Sequence, residues 1–374
     1  MKKILSVGLA TMMALSLAAC SSSNNAGTTT AAPQPQETKE EAPEAEAEET
    51  EAKAGEDSQA VGGGKDYVVA LCNYSIGNSW RAQMEQEFIA EAEKLKADGT
   101  VSEYYITNSN EDINKQISDM QDLITKGVDA IVITAASPTA LAPVVEEATD
   151  AGIKVVSFDN VVETDMQVAT VGINEEEFGR IGAEWLADKL EGKGKIIVLN
   201  GVAGTATDAL RWGGAEKVFA QYPDIEVIAS ANASWDYAEG KAAVESMLSA
   251  NPQIDGVWSQ GGAMTQGAID AFIAAGRDLV PMTSEGNNGA IRAWIENRDN
   301  GLSCIAPSNP TYTSAEALRV AIQALNGEDV PSNVVMEVST VTEDNVDDYY
   351  REDMPDSYWV HTELDEDTLA ELYK

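Results

Sequence analysis

The chain has 374 residues, and its 63 Asp and Glu residues outnumber 24 Lys and Arg residues, which gives a formal net charge of −39. Nucleic acid and anionic lipid head groups are poor partners for so acidic a surface, because like charges repel. The sequence has a single histidine, and its three cysteines lack zinc or redox spacing. It therefore offers no histidine-based catalytic triad, no metal site and no cofactor motif.

The first 19 residues have the pattern of a secretory signal peptide. The start is basic, residues 4–18 are mostly apolar but too few to span a bilayer, and small residues precede Cys20. This junction resembles a bacterial lipobox, which implies cleavage before Cys20 and attachment of lipid to it. Several acyl chains would then anchor the protein to the outer face of the cell membrane, at the extracellular surface or in the periplasm. The alternative is a plain signal peptide with an incidental cysteine.

Residues 20–65 have the composition of a disordered acidic tether. Ten acidic residues and two lysines lie between Glu37 and Asp57, and the segment contains no aromatic residue. Such a segment cannot bury enough apolar surface to offset the entropy lost on ordering. We therefore expect an extended spacer ahead of a folded part.

The remaining ~310 residues exceed what one hydrophobic core usually holds, so two lobes are expected. Apolar strand-like runs alternate with amphipathic helical patterns, which indicates an α/β fold with doubly wound parallel sheets covered on both faces. The predicted strands are Tyr67–Asn73, Val101–Thr107, Ala130–Thr134, Lys154–Phe158, Val168–Ile173, Lys195–Asn200, Glu226–Ser230, Gly256–Ser259, Val280–Ser284 and Leu302–Ala306. The predicted helices include Trp80–Lys96, Asp112–Lys126, Pro138–Ala151, Glu175–Leu190 and Asp208–Gln221. Cys72 and Cys304 fall in strand-like runs and are expected to be buried as small hydrophobic residues.

Polar side chains follow the predicted strands. Ligands of parallel sheets bind at the carboxyl ends of the strands, so these loops are the candidate binding surface. A sugar has apolar C–H faces that an indole can cover, and hydroxyls that carboxylate, amide and guanidinium groups can pair. The loops carry such groups at Tyr74, Asn78, Trp80, Arg81, Asp159, Asn160, Arg211, Trp235, Gln260 and Glu285.

Over nearly all of residues 66–338, the sequence resembles the ribose-binding-protein branch of the sugar-binding proteins of bacterial ABC importers. The loop Gly201–Thr205, followed by Arg211, is similar to the family's loop before its second-lobe sugar-binding arginine. The run Val155–Asp159 is similar to the family's strand that ends in a hydroxyl-binding aspartate. Further matching positions are Asn78, Trp80, Trp235, Asp236 and Glu285, the last standing where the family usually has Asp.

The resemblance implies a type I periplasmic-binding fold, with two lobes joined by a hinge of three chain segments. The crossings would lie near Asn160–Ile173, Ala306–Pro310 and Gly327–Val334. The first lobe would hold 66–172 and 308–330; the second would hold 173–307 and 331–374, with the acidic tail from Val341 packed on it. The sugar would bind Asn78, Trp80 and Asp159 first, and the second lobe would then close over it with Arg211, Trp235 and Glu285.

Five positions, one of them Glu285, depart from the family pattern and leave the identity of the ligand open. Gly261 and Gly262 stand in place of an Asn-Asp pair, which removes two side-chain contacts. Asn160 stands where ribose binders have Arg, and Arg81 replaces a second aromatic residue. Because the trio Ser79–Arg81 resembles a subgroup that includes a galactofuranose binder, a furanose or a small polyol is an alternative to ribose.

The implied protein is a monomer that delivers a small monosaccharide to the permease of an ABC importer. One alternative is a sensor component that passes its closed form to a chemoreceptor or kinase, or that binds an autoinducer-like furanose. A more remote alternative is a surface glycoside hydrolase. Single residues also have structural alternatives: Trp80 as a core residue, Asp159 as a turn acceptor, Arg211 in a surface ion pair, and Asp208 as a helix cap.

Overall fold

The structure, a computed structural model, describes residues 66–374; the predicted signal peptide, Cys20 and the tether lie outside this range. The strands are β1 (Tyr67–Asn73), β2 (Val101–Asn108), β3 (Ala130–Ile133), β4 (Lys154–Phe158), β5 (Ala169–Ile173), β6 (Lys193–Asn200), β7 (Asp224–Asn232), β8 (Gly256–Ser259), β9 (Met282–Thr283), β10 (Cys304–Ser308), β11 (Asn333–Met336) and β12 (Ser339–Val341). The helices are α1 (Ser79–Ala97), α2 (Ile113–Lys126), α3 (Ala142–Asp150), α4 (Glu175–Lys189), α5 (Ala206–Phe219), α6 (Tyr237–Ala250), α7 (Gly262–Ala274), α8 (Asn288–Asn297), α9 (Thr313–Leu325), α10 (Val346–Tyr349) and α11 (Glu366–Leu372). Within residues 66–374, none of the helices has both the length and the apolar character needed to cross a membrane.

The strands form two six-stranded sheets, one in each lobe. The first sheet has the order β11-β5-β4-β3-β1-β2 and is parallel throughout. The second has the order β12-β10-β9-β8-β6-β7 and is parallel except for the edge strand β12, which runs antiparallel to β10. The predicted α/β class with two doubly wound parallel-sheet lobes is confirmed.

Both faces of each sheet are buried under helices. The central strands β1, β3 and β4 consist almost entirely of residues with no exposed surface, because helices cover them from both sides. In the first sheet, alternate residues enter two separate cores, with Leu71 in one and Cys72 in the other. Cys72 and Cys304 are buried and unbonded, and burial raises the pKa of the Cys72 thiol to about 12.

The chain crosses between the sheets after β5, after β10 and between β11 and β12. The last crossing lies beyond the expected position at 327–334. Residues Asn333–Met336 pair in parallel with β5, so they belong to the first sheet and not to the second lobe. Their pairing satisfies the backbone groups at the outer edge of β5, which would otherwise be exposed.

The acidic tail does not lie on the second lobe alone, as the sequence led us to expect. Val346 packs into the core of the second lobe, whereas Leu369 of α11 packs with Ala90 of α1 in the first lobe. Two tail aromatics, Tyr358 and Trp359, are each only 4% exposed. The tail is therefore an integral part of both lobes.

Candidate functional site

The carboxyl ends of the two sheets face each other across a narrow gap. The gap is lined by Asn78, Trp80, Arg81 and Asp159 from the first lobe, Thr207, Arg211, Trp235 and Glu285 from the second, and Asn309 and Trp359 from later segments.

An ion pair between Arg81 and Asp159 forms the first-lobe wall. Arg81 Nη2 lies 2.7 Å from Asp159 Oδ2, and both side chains are about 95% buried. The guanidinium stacks on the ring of Tyr74, 4.0 Å from its centroid. Burial by itself would lower the pKa of Arg81, but Tyr74 and Asp159 raise it, so this cation keeps its charge.

Asp159 is held in place by several donors. Asn160 Nδ2 donates to its Oδ2 at 3.1 Å, and Asn309 Nδ2 donates to its Oδ1 at 3.2 Å. Its backbone has a φ of 56°, a left-handed conformation that costs a non-glycine residue of order 1 kcal/mol or more. The carboxylate of Asp159 accepts from side chains and lines the gap, and no bond to a backbone N–H of a turn is found for it within residues 66–374.

Trp80 belongs to a hydrophobic core and to the gap at the same time. Its indole Nε1 donates to the backbone oxygen of Asn309 at 2.9 Å, which fixes the ring, and the residue is 7% exposed. Asn78 precedes the ring on the same loop and caps α1, because its Oδ1 accepts from the backbone N–H of Arg81 at 3.0 Å. The cap directs the first turn of α1 into the gap.

Arg211 is the centre of a buried charged cluster in the second lobe. Its Nε donates to Glu175 Oε2 at 2.6 Å, its Nη2 to Glu285 Oε1 at 3.3 Å, and its Nη1 to the backbone oxygen of Gln260 at 2.9 Å. Its guanidinium lies 3.7 Å from the ring centroid of Phe178. Arg211 is 2% exposed, so the alternative of a surface ion pair is wrong.

Burial raises the pKa of both carboxyl groups in this cluster, and the charge of Arg211 opposes the shift. The pKa of Glu175 is raised to about 7, and that of Glu285 is raised as well. Removing Arg211 would leave two acids buried without a counter-charge, which typically costs about 3–5 kcal/mol. The arginine is therefore needed for stability as well as for the shape of the site.

A close contact between two helices positions Arg211. A Cβ placed on Gly179 of α4 would lie 1.9 Å from the backbone oxygen of Arg211, and one on Gly214 of α5 would lie 2.0 Å from that of Glu176. Only glycine allows this approach of the two backbones. It brings Glu175, at the start of α4, within hydrogen-bonding distance of Arg211.

Two glycines form a slot for the indole of Trp235. A Cβ on Gly201 would lie 2.1 Å from Trp235 Cζ2, and one on Gly261 would lie 2.6 Å from Trp235 Cδ1. Trp235 itself has a φ of 54°. The glycine at position 261 therefore does more than remove a side-chain contact, because its missing side chain makes room for the aromatic wall.

One hydrogen bond joins side chains of the two lobes directly, because Thr207 Oγ1 donates to Asn160 Oδ1 at 3.0 Å. Asn309, the residue directly after β10, donates its Nδ2 to Asp159 Oδ1 of the first lobe and its backbone N–H to Glu285 Oε1 of the second, both at 3.2 Å. Within residues 66–374, two buried donors at the gap, Arg81 Nη1 and Trp235 Nε1, have no acceptor. Two residues that line the gap thus each carry a buried N–H group without a partner in this arrangement of the lobes.

Seven of the ten predicted site residues line the gap, and three lie behind it. Tyr74 supports Arg81, Asn160 holds Asp159, and Gln260 contributes its backbone oxygen to Arg211 and its side-chain Nε2 to Asp208 Oδ1 at 3.0 Å. Asp208 does not cap α5, a role taken by Thr205. The roles of the ten predicted site residues toward a ligand stay predictions.

Four residues of the site were not predicted. Thr207 lies in a loop that the motif had already marked, and Asn309 lies in an expected crossing, so position along the chain could have suggested both. Glu175 had no signal beyond its place at a helix start. Trp359 lies 279 positions after Trp80 in the acidic tail, and no local pattern connects it with the gap.

Comparison with known proteins gives a consistent family. Residues 69–329 match the model of the periplasmic binding protein domain. The xylitol-binding protein of Mycolicibacterium smegmatis is 32% identical over 64% of this chain and 68% of its own length. The ribose import binding protein of Bacillus subtilis is 26% identical over 73% and 86%, respectively.

A solved structure agrees with these relatives. An ABC transporter solute binding protein from Thermobispora bispora superimposes with a TM-score of 0.72 at 30% identity, covering 78% of this chain and 90% of that one. The family expected from the sequence is confirmed: this chain belongs to the periplasmic binding proteins and is similar to those that bind sugars and polyols for ABC importers.

Proposed function

We propose that the protein is the substrate-binding component of an ABC-type importer and captures a small sugar or polyol between its lobes. The observation that carries this proposal is the closed gap, where Trp80 and Trp235 contribute aromatic surface from opposite lobes and two buried N–H groups lack acceptors. Indole surfaces suit C–H faces, and ligand hydroxyls can accept from the N–H groups.

The charges at the gap favour an uncharged ligand. Arg81 is paired with Asp159, and Arg211 is shared between Glu175 and Glu285. An ionic ligand would add a further charge to a buried site whose charges already have partners, at a high desolvation cost. Neutral polyhydroxylated molecules avoid this cost and gain charge-assisted hydrogen bonds. The relatives named for xylitol and ribose fit this ligand class.

Ligand capture would work by hinge closure. Each lobe carries half of the contacts, and only the closed form presents both halves to the ligand. A ligand therefore stabilises the closed form, which the importer's permease would recognise. Since the charged walls are pre-paired in each lobe, closure needs little rearrangement within them.

The direct test is a thermal-shift screen of the purified chain against pentoses, hexoses, furanoses and polyols. At a ligand concentration of about 100 times Kd, binding adds roughly 2.7 kcal/mol to the free energy of unfolding, enough to raise the melting temperature by several degrees. If no member of the panel raises it, the proposal fails. Appearance of cleavage products during incubation would point to the hydrolase alternative.

A matched pair of variants locates the ligand. Asp159→Asn removes the charge that pairs with Arg81, and we expect binding to weaken by about 10- to 100-fold, as for a charge-assisted hydrogen bond. Asp347→Asn makes the same change in an exposed pair with Arg298 and should leave binding unchanged. Equal affinities for the two variants would place the ligand away from Asp159.

Export and membrane attachment belong to the same proposal. We infer that Cys20 is lipidated, so mass spectrometry of the mature N-terminus should find a modified cysteine, and Cys20→Ala should release the protein from the membrane fraction. An unmodified cysteine would leave the plain signal peptide as the alternative. We also infer a monomer, which light scattering after size-exclusion chromatography would test.

A further inference from the structure

The acidic tail passes from one lobe to the other. Tyr349 and Tyr350 pack against the core of the second lobe, which also holds Val346. Further along, Leu364 and Leu369 form a small cluster with Ala90 on α1 of the first lobe. The chain between these two attachments, residues 356–363, is called the crossing segment below.

The crossing segment is bound to the second lobe at its first half. The backbone N–H of Asn288 donates to the oxygen of Tyr358 at 2.8 Å, and that of Val360 donates to the oxygen of Gly286 at 3.0 Å. Asp356 forms an ion pair with Arg292, with Oδ2 and Nη2 2.7 Å apart. These bonds involve the loop that carries Glu285 and the start of α8.

The same segment is bound to the first lobe through Gln83 of α1, which has no exposed surface. The backbone N–H of Trp359 donates to Gln83 Oε1, and Gln83 Nε2 donates to the oxygen of Trp359, both at 2.9 Å. Trp359 Nε1 donates to Ser79 Oγ at 3.0 Å. Such a reciprocal pair fixes both the backbone and the ring of Trp359 against the first lobe.

The crossing segment also runs beside an established crossing. The backbone N–H of Thr311, in the chain between β10 and α9, donates to the oxygen of His361 at 3.1 Å. Gln83 Nε2 reaches Thr311 Oγ1 as well, at 3.0 Å. The segment therefore lies next to the hinge and does not have to be released for the far side of the gap to open.

We propose that residues 356–363 form a fourth crossing of the hinge and that Trp359, carried on it, is a third aromatic wall of the ligand site. The role of Trp359 as an aromatic wall rests on the proposed function, whereas the crossing of residues 356–363 between the lobes does not. Trp359 lines the gap together with Trp80 and Trp235, so indoles from three separate parts of the chain meet there. A third ring narrows the site and favours small ligands with apolar surface on more than two sides.

The crossing is tested by amide hydrogen exchange of the unaltered full chain, with and without ligand. The N–H groups of Trp359 and Val360 should be protected in both states, because a hinge strand stays attached while the lobes open. Exchange of these amides at the rate of a free peptide in the ligand-bound protein would overturn the proposal.

The wall is tested with two tail variants and titration calorimetry. Trp359→Leu should weaken binding by about tenfold or more through the loss of aromatic contact. Tyr350→Leu, a matched change on the same tail away from the gap, should alter affinity by no more than about twofold. Equal binding by both variants would remove Trp359 from the site.

The proposal can still be tested if the Trp359→Leu variant fails to fold or if the unaltered protein binds no sugar or polyol. If Trp359→Leu fails to fold, Trp359→Phe keeps an aromatic ring but loses the second ring of the indole and the Nε1 bond to Ser79. The wall then requires that a ligand further slow the exchange of the Trp359 amide in the unaltered chain. If no sugar or polyol binds the unaltered protein, the proposed function and the wall role fail together. The exchange measurement still decides the crossing, which stands only if its amides are protected.

Discussion

Gly201→Ala is the sharpest perturbation that the site offers, because it adds one methyl group against the ring of Trp235. The new Cβ would lie 2.1 Å from Trp235 Cζ2, whereas ordinary contacts begin at 3.4 Å, so the ring must move by at least 3.4 − 2.1 = 1.3 Å. Gly261 closes the other side of the slot, so the ring can only leave it. The loss of an aromatic wall should weaken ligand binding by ~1–3 kcal/mol, or about 5- to 150-fold.

Calorimetric titration with a ligand from the thermal-shift screen measures this loss. Gly213→Ala is the control, because a Cβ there meets nothing within 4 Å; it should leave binding unchanged and stabilise α5 slightly. In a double-mutant cycle, Gly201→Ala should cause no further loss in a Trp235→Ala background, because its effect passes through that ring. A Gly201→Ala protein that binds within about twofold of the unaltered chain would refute the slot.

Three further outcomes follow from the buried groups. Burial raises the pKa of Glu175 to about 7 from 4.5. The stability contributed by the protonated Glu175 carboxyl, ~3 kcal/mol, is therefore complete below pH 4.5, its pKa in the unfolded chain, and is lost as the pH rises through 7. In Glu175→Gln, the denaturation midpoint should therefore change less with pH between about pH 5 and 8 than in the unaltered chain. Burial lowers the pKa of His361 to about 4, so the stability contributed by its neutral form is lost as the pH falls from 6.5 towards 4. NMR titration of this single histidine should give a pKa near 4. A pKa near 6.5 would mean that the tail is detached from the lobes. Gly179→Ala places a Cβ against the backbone oxygen of Arg211 and should lower the free energy of unfolding in urea by ~1–3 kcal/mol. Gly213→Ala, on the same pair of helices, should not lower it. Equal stability of the two variants would contradict the close approach of α4 and α5.

The alternation of apolar strands with helices was readable from the sequence because the central strands are buried on both faces. Runs such as Ala130–Ile133 are continuously apolar, and the structure finds a strand at every predicted position. The edge strand Asn333–Met336 was missed because it is short and its side chains alternate between exposed and half-buried. Edge strands depend on a neighbour that is distant in sequence, and local patterns do not identify that neighbour.

The site was predictable where one loop carries both the motif and the function. Asp159 directly follows β4, Arg211 lies in α5 after the glycine-containing loop Gly201–Thr205, and both line the gap. The glycine at position 261 was interpreted as a lost contact because a resemblance compares residue types, position by position. Its actual effect, room for the indole of Trp235, depends on two loops that meet only in the folded chain.

The free energy of closing the lobes depends on the hydrogen bonds that form between them and on the N–H groups that are left unpaired. The bonds from Thr207 to Asn160 and from Asn309 Nδ2 to Asp159 favour the closed form by themselves. In this form Arg81 Nη1 and Trp235 Nε1 are buried without a protein acceptor, and each such group costs about 1–3 kcal/mol when left unpaired. A ligand that offers acceptors to both removes this cost only in the closed form, and such differential binding is what shifts a two-state equilibrium. Because one donor belongs to each lobe, a molecule that reaches only one of them would bind without closing the hinge fully, so specificity follows from spanning the gap.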